Sequence, residues 1–267
     1  MKEQVMKRSS RIIPGCRPSW VLGLMGLLCL PFAWAVSASA DDAPPKYPAR
    51  LPIAQYMEPD QATEIALART AAPKAVSDNA TILVLGKDGY ETAVKGTNGF
   101  VCYVGRSWEK DFDDPEFWNQ HPRTPQCYNA AAASSIFPGI LERTRWVMTG
   151  VSKDEMIAQT KAEVANHQVG VPAPGSMVYM LSKDQYINDP QPGAPSNFAP
   201  HVMFFVPAAP GEEGSAWGAN VPHAAIFSTT SDIEPFTTYF VLSPKWSDGT
   251  FGPYVASVAK TDEQHHH

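Results

Sequence analysis

The run His201-Val202-Met203-Phe204-Phe205-Val206 limits what this chain can fold into more than any other stretch. Pro200 and Pro207 bracket it, and its β-branched and aromatic side chains favour extended backbone. Six apolar-rich residues of this kind read as a strand buried on both faces, so the fold needs a sheet that continues to either side of it. His201, its one titratable residue, stands at the mouth of that strand. A Gly/Glu loop follows, and then Trp217-Gly218-Ala219-Asn220.

The 267 residues do not all read as folded domain. Residues 1–40 have the pattern of an export signal: a basic start, an apolar core over Val21–Val36, and Ala38-Ser39-Ala40 ahead of Asp41. The core is short for a stable span, which takes about 20 apolar residues. Residues 41–57 read as a proline-rich extended arm, 58–256 as a single α+β domain, and 257–267 as a tail ending in a purification-tag remnant. Of 21 basic and 27 acidic residues, the first 40 positions hold five and one. The remainder is strongly acidic, which argues against nucleic acid and anionic membrane as partners and leaves small molecules open.

Cys16 and Cys29 lie in the signal, so Cys102 and Cys127 face an oxidising compartment as a pair. No Cys-x-x-Cys occurs, and a structural disulfide is expected. Such a bridge is worth about 3 kcal/mol in the chain-entropy picture.

Turn and cap chemistry divides the domain. A helix is expected over 59–70, ended by Pro73. Strands at 81–85, 90–95 and 100–106, separated by Gly86-Lys87-Asp88-Gly89 and by Asn98-Gly99, read as a three-strand antiparallel meander. Residues 107–126 form a loop mixing aromatic residues with Asp111, Asp113, Asp114 and Glu116. Asn129 caps an alanine run that Pro138 interrupts. Ile140, Leu141, Thr144, Val147 and Met148 give one amphipathic helix, with Gly150 as its C-terminal cap, and Ser152-Lys153-Asp154-Glu155 opens another. Strands follow at 176–181, 201–206, 224–228 and 237–242, with a proline-rich binding loop over 182–200. The expected architecture is an antiparallel sheet, the meander plus C-terminal strands, packed with two or three helices.

Common catalytic motifs are missing: there is no G-x-S-x-G, H-E-x-x-H, P-loop or dinucleotide fingerprint. Three readings of function remain. His201, Trp217, Asn220, His223 and Asp248 can line a pocket for a small ligand, with indole as wall, carboxamide as donor and acceptor, and imidazole as titrating group. His201 can act as general base of a hydrolase, with Ser228 or water as nucleophile and Asp248 orienting a histidine. His201 with Met203 offers imidazole and thioether, a soft set suited to Cu(I). The acidic loop lacks the glycine and glutamate of a calcium-binding EF-hand and reads as a solvated turn.

The segments ILVLGKDGYETAVKGTNGFVCYVGRSW, HVMFFVP, WGAN and KWSDGT resemble a group of exported bacterial hypothetical proteins. That resemblance implies export and a single domain, and it transfers no activity, cofactor or site.

Overall fold

The computed structural model describes residues 45–167, 170–190, 198–209, 211, 216–221, 224 and 226–253, and Pro44–His267 form one compact unit. The signal and the tail lie outside the described residues.

Eight strands make one mixed sheet: β1 Thr81–Gly86, β2 Gly89–Val94, β3 Val101–Gly105, β4 Thr124–Tyr128, β5 Met177–Met180, β6 His201–Pro207, β7 Ile226–Thr230 and β8 Phe236–Leu242. Their order is β2-β1-β3-β4-β5-β6-β8-β7. Among the described residues five α-helices accompany it: α1 Gln61–Arg69, α2 Lys74–Ser77, α3 Ala130–Ser135, α4 Phe137–Thr149 and α5 Lys153–Ala165. The α+β class holds, but the sheet is larger than expected and not purely antiparallel.

The meander is corrected. β1 and β2 form a hairpin, yet β3 lies on the other side of β1 and runs parallel to it. The backbone shows why. After β2 the chain passes around the start of β1, where Thr97 N–H and Asn98 N–H both donate to Asn79 O at 2.8 and 3.3 Å. Gly96 lies against the Ala80–Thr81 backbone so closely that any Cβ would collide with it. Asn98 and Gly99 have hairpin chemistry, but Asn98 spends its side chain on Val76 O and Phe100 N. They steer a crossover instead of a turn between neighbours.

β4 was expected as loop, because Pro125 and the polar Thr124 and Gln126 break the strand pattern. It pairs with β3 along its whole length and sets Cys102 directly opposite Cys127, where the disulfide forms. The expected bridge is present.

Caps explain the helix starts. Asp60 accepts from Thr63 N at 2.7 Å, Asn129 from Ala132 N at 3.0 Å and Ser152 from Glu155 N at 3.2 Å. Pro138 sits in the first turn of α4, where its missing N–H costs nothing, so it starts that helix rather than kinking it. Gly150, at φ 84°, closes α4 in the left-handed conformation.

Register assigns two faces. One carries Tyr103, Tyr128, Val178, Met180, Met203 and Phe205 and packs beneath Ala132, Ile136 and Phe137 of α3 and α4. The other carries Ile82, Cys102, Val104 and Cys127 and packs beneath Ala68 of α1 and the following Ala71 and Ala72. β6 is therefore not buried equally: His201, Met203 and Phe205 are buried, whereas Val202, Phe204 and Val206 are half-buried.

The aromatic-acidic loop is anchored. Trp108 is fully buried and its Nε1–H donates to Thr144 Oγ1 of α4 at 3.1 Å. Phe112, Phe117 and Trp118 complete a cluster with Trp146, Val147 and Met156. The arm is also packed within its described part. Tyr56 is wholly buried, and its hydroxyl donates to Trp118 O and accepts from Leu51 N–H.

Candidate functional site

The sheet separates the residues expected to share a pocket. His201 is buried, its Nδ1–H donates to Ala199 O at 2.7 Å, and Phe198 and Phe240 flank its ring. Burial pulls its pKa below the ordinary value, which leaves the imidazole neutral with Nε2 as acceptor. Trp217 lies tilted against Tyr239, with ring centroids 4.4 Å apart, and meets Phe204 at 6.5 Å. Phe204 and Tyr239 are register partners whose side chains alternate away from His201, Met203 and Phe205. Trp217 thus covers the face opposite His201, and it is 57% exposed.

Asn220, at φ 61°, hydrogen-bonds the edge strand β7: its Oδ1 accepts from Ser228 N–H at 2.9 Å and its Nδ2–H donates to Ser228 Oγ at 3.0 Å. Ser228 is opposite Tyr239, on the face away from His201, so the structure does not join His201 and Ser228 as base and nucleophile. Asp248 pairs with Lys183 at 2.6 Å and accepts from Thr250, and orients no histidine among the described residues. His223 and the segment 191–197 lie outside the described residues. Met180 stands opposite His201 across β5 and β6, and Met203 lies two residues along on the same face. Among the described residues no group of three or more His, Cys, Asp or Glu side chains is placed to hold a metal ion. In the acidic loop, Asp114 accepts from Glu116 N–H at 2.7 Å, and Glu116 pairs with Lys110 at 3.0 Å.

The face of β6 that carries Met203 and Phe205 instead borders a cavity of about 290 Å³. The sheet forms its floor and α4 its roof, through Gly139, Ile140 and Arg143. Met180, Met203, Phe205, Phe236 and Phe240 supply an apolar wall, and Tyr128, Gln126, Thr124 and Glu109 supply a polar end. An adjoining cleft of about 480 Å³ shares Asp111, Arg143, Ser231 and Glu234 with it. Arg143 closes the partition: it pairs with Glu234 at 2.9 Å, donates to Lys110 O at 3.2 Å and lies over the Phe112 ring at 4.3 Å.

Glu109 is the chemical centre of the polar end. It closes the 3-10 turn Ser107–Glu109, and its Oε1 accepts from Arg106 N–H at 3.3 Å, as a capping glutamate does. Its Oε2 accepts from Tyr103 OH and from Gln126 Nε2–H, both at 2.9 Å, and Tyr90 OH reaches Oε1 at 3.3 Å. Tyr128 OH donates to Gln126 Oε1 at 3.0 Å. Burial pushes the Glu109 carboxyl up to about 7, against the pull of Tyr103, the Arg106 backbone and charge, and Gln126. Arg106 does not neutralise it, because its guanidinium pairs with buried Glu64 at 2.9 Å and donates to Tyr56 O and Val104 O. Gly105 makes room: a Cβ there would come within 3.0 Å of Glu109, Gln126 and Thr124 side-chain atoms together.

No reading of residue patterns singled out this group. Glu109 stands alone in a loop, and Tyr90, Tyr103, Gln126 and Tyr128 come from three strands. The one available signal was Glu109 three residues after Arg106, at the capping position of a turn.

A second polar hub fastens the arm. Asp189 accepts from Lys46, from Tyr47 OH at 2.5 Å, from Tyr186 OH at 3.0 Å and from Asn119 Nδ2–H at 3.1 Å. Although burial opposes it, these donors hold the carboxyl well below the usual carboxylate range. The chain matches no protein-family model, no curated protein and no solved structure.

Proposed function

We propose that this chain is an exported protein that binds a small ligand with an apolar body and a polar head. The supporting observation is the cavity between the sheet and α4, apolar along β5, β6 and β8 and polar at Glu109. Largely apolar hollows with a few convergent polar groups are the usual form of small-molecule sites. The cavity lies beside the His201 strand that the sequence singles out, but it opens under Met203 and Phe205 and away from Trp217. Export is supported by the basic-apolar-small pattern of residues 1–40 and by the Cys102–Cys127 disulfide.

A thermal-shift screen of small metabolites tests this reading, because a ligand that binds only the folded state raises Tm. Ile140→Trp, which fills the roof of the cavity, serves as control. The expected result is one or more ligands that raise Tm in the native chain and not in the variant. A ligand that shifts both equally binds elsewhere and removes the cavity from the account.

A second reading is Cu(I) binding by His201 Nε2 with the Met180 and Met203 thioethers. It rests on the three side chains sharing one face in adjacent register. Metal analysis of tag-free protein refolded with Cu(I) gives one equivalent if this holds, and none in His201→Ala.

A further inference from the structure

We propose that the occupant of this cavity is an organic cation, an ammonium head on an apolar body; this rests on the ligand-binding reading above. The inference comes from where charge is left over. Among the described residues, three cations line the cavity: Arg106, Lys110 and Arg143. Each already has a carboxylate partner: Arg106 has Glu64 at 2.9 Å, Lys110 has Glu116 at 3.0 Å, and Arg143 has Glu234 at 2.9 Å. Glu109 and Asp111 also line the cavity, and among the described residues neither is in an ion pair. Counted with the partners of those cations, the charge around the hollow is negative.

Burial acts on both groups, and neighbouring carboxylates act on Asp111. Asp111 is held above its ordinary value by burial and by the charges of Glu234 and Asp113, with Arg143 opposing. Facing Glu109 are Tyr90 from β2, Tyr103 from β3, Gln126 and Tyr128 from β4 and Arg106 from its own turn. The only cation in that set is committed to Glu64. An entering ammonium would offset the burial cost of the Glu109 charge and the repulsion that Asp111 bears from Glu234 and Asp113. An anion would add to it.

The walls suit the same class. Phe205, Phe236, Phe240 and Tyr128 present aromatic rings, whose faces attract cations most strongly out of water. Glu109 sits at the polar end and Asp111 on the wall shared with the outer cleft, so a cation meets one carboxylate on the way in and another at its seat.

The test uses three probes with one body: 4-phenylbutylamine, 4-phenylbutanol and 4-phenylbutanoate, titrated calorimetrically at pH 8. Charge selection predicts that the amine binds about tenfold or more tightly than the alcohol, and that the carboxylate binds most weakly. Glu109→Gln should remove most of the amine's advantage over the alcohol and leave the alcohol unchanged. Asp111→Asn, on the wall shared with the outer cleft, should weaken the amine severalfold. Equal binding of amine and alcohol overturns the cation assignment while leaving the cavity as a ligand site. Tighter binding of the carboxylate overturns it with the opposite sign. Binding of none of the three, with no Tm shift from any screened compound, removes the ligand-binding reading and the cation assignment with it.

Discussion

Replacing Glu109 by Gln should change how stability depends on pH, not only how large it is. The carboxyl titrates at about 7 in the folded chain and near 4.5 when unfolded. Folding therefore raises its proton affinity. Below the unfolded value both states carry the proton, and the contribution of Glu109 is complete. As pH rises the unfolded chain ionises first, and stability falls until the folded carboxyl has also ionised. A shift of about 2.5 pH units corresponds to roughly 3 kcal/mol. Glu109 is only half-buried, since it lines the cavity, so water there lowers this to about 2 kcal/mol. The substituted amide cannot ionise, but its N–H group faces donors from Gln126 or Arg106, at a cost of about 1 kcal/mol at every pH. The variant should be less stable than the native chain at pH 4 and equal or more stable at pH 8.5. Urea unfolding followed by tryptophan fluorescence at both pH values measures this, and other titrating groups cancel in the difference. A stability difference that is the same at pH 4 and pH 8.5 would refute the reasoning.

Other outcomes follow from single contacts. Gly105→Ala should destabilise by about 1–3 kcal/mol, since the new methyl meets Thr124, Glu109 and Gln126 at once; a neutral result in urea unfolding would mean that the polar end is looser than described. Reducing the disulfide, or Cys102→Ser with Cys127→Ser, should cost about 3 kcal/mol at equilibrium. Asp189→Asn removes the charge that gathers Lys46, Tyr47, Asn119 and Tyr186. It should cost about 2 kcal/mol and, by loosening the arm, speed trypsin cleavage after Lys46 and Arg50. Because the native carboxyl lies below the usual range, its contribution should persist through pH 4 and fade only in stronger acid.

Local chemistry was legible where one residue decides it. Asn129, Ser152 and Gly150 mark helix ends that the structure keeps, and two cysteines behind an export-like leader sufficed for the disulfide. Strand order was not legible. Asn98-Gly99 has the chemistry of a hairpin, and only the approach of Gly96 to the β1 backbone diverts it into a crossover. Pro125 hid β4, although its position leaves the pairing with β3 intact. The grouping of His201 with Trp217 failed because a strand shows which residues share a face but not which distant segment covers it. The segment with Trp217, at φ 63°, covers Tyr239 on the far side. Glu109 was invisible for a related reason: its importance comes from Tyr90, Tyr103 and Gln126, three strand residues that only the register brings together.

The ligand site beneath α4 is best tested by calorimetric titration of 4-phenylbutylamine into the native chain and into Ile140→Trp, side by side at pH 8. One saturable site per chain, lost in the variant whose circular dichroism is unchanged, is the result expected. Undiminished affinity after the roof has been filled would contradict it.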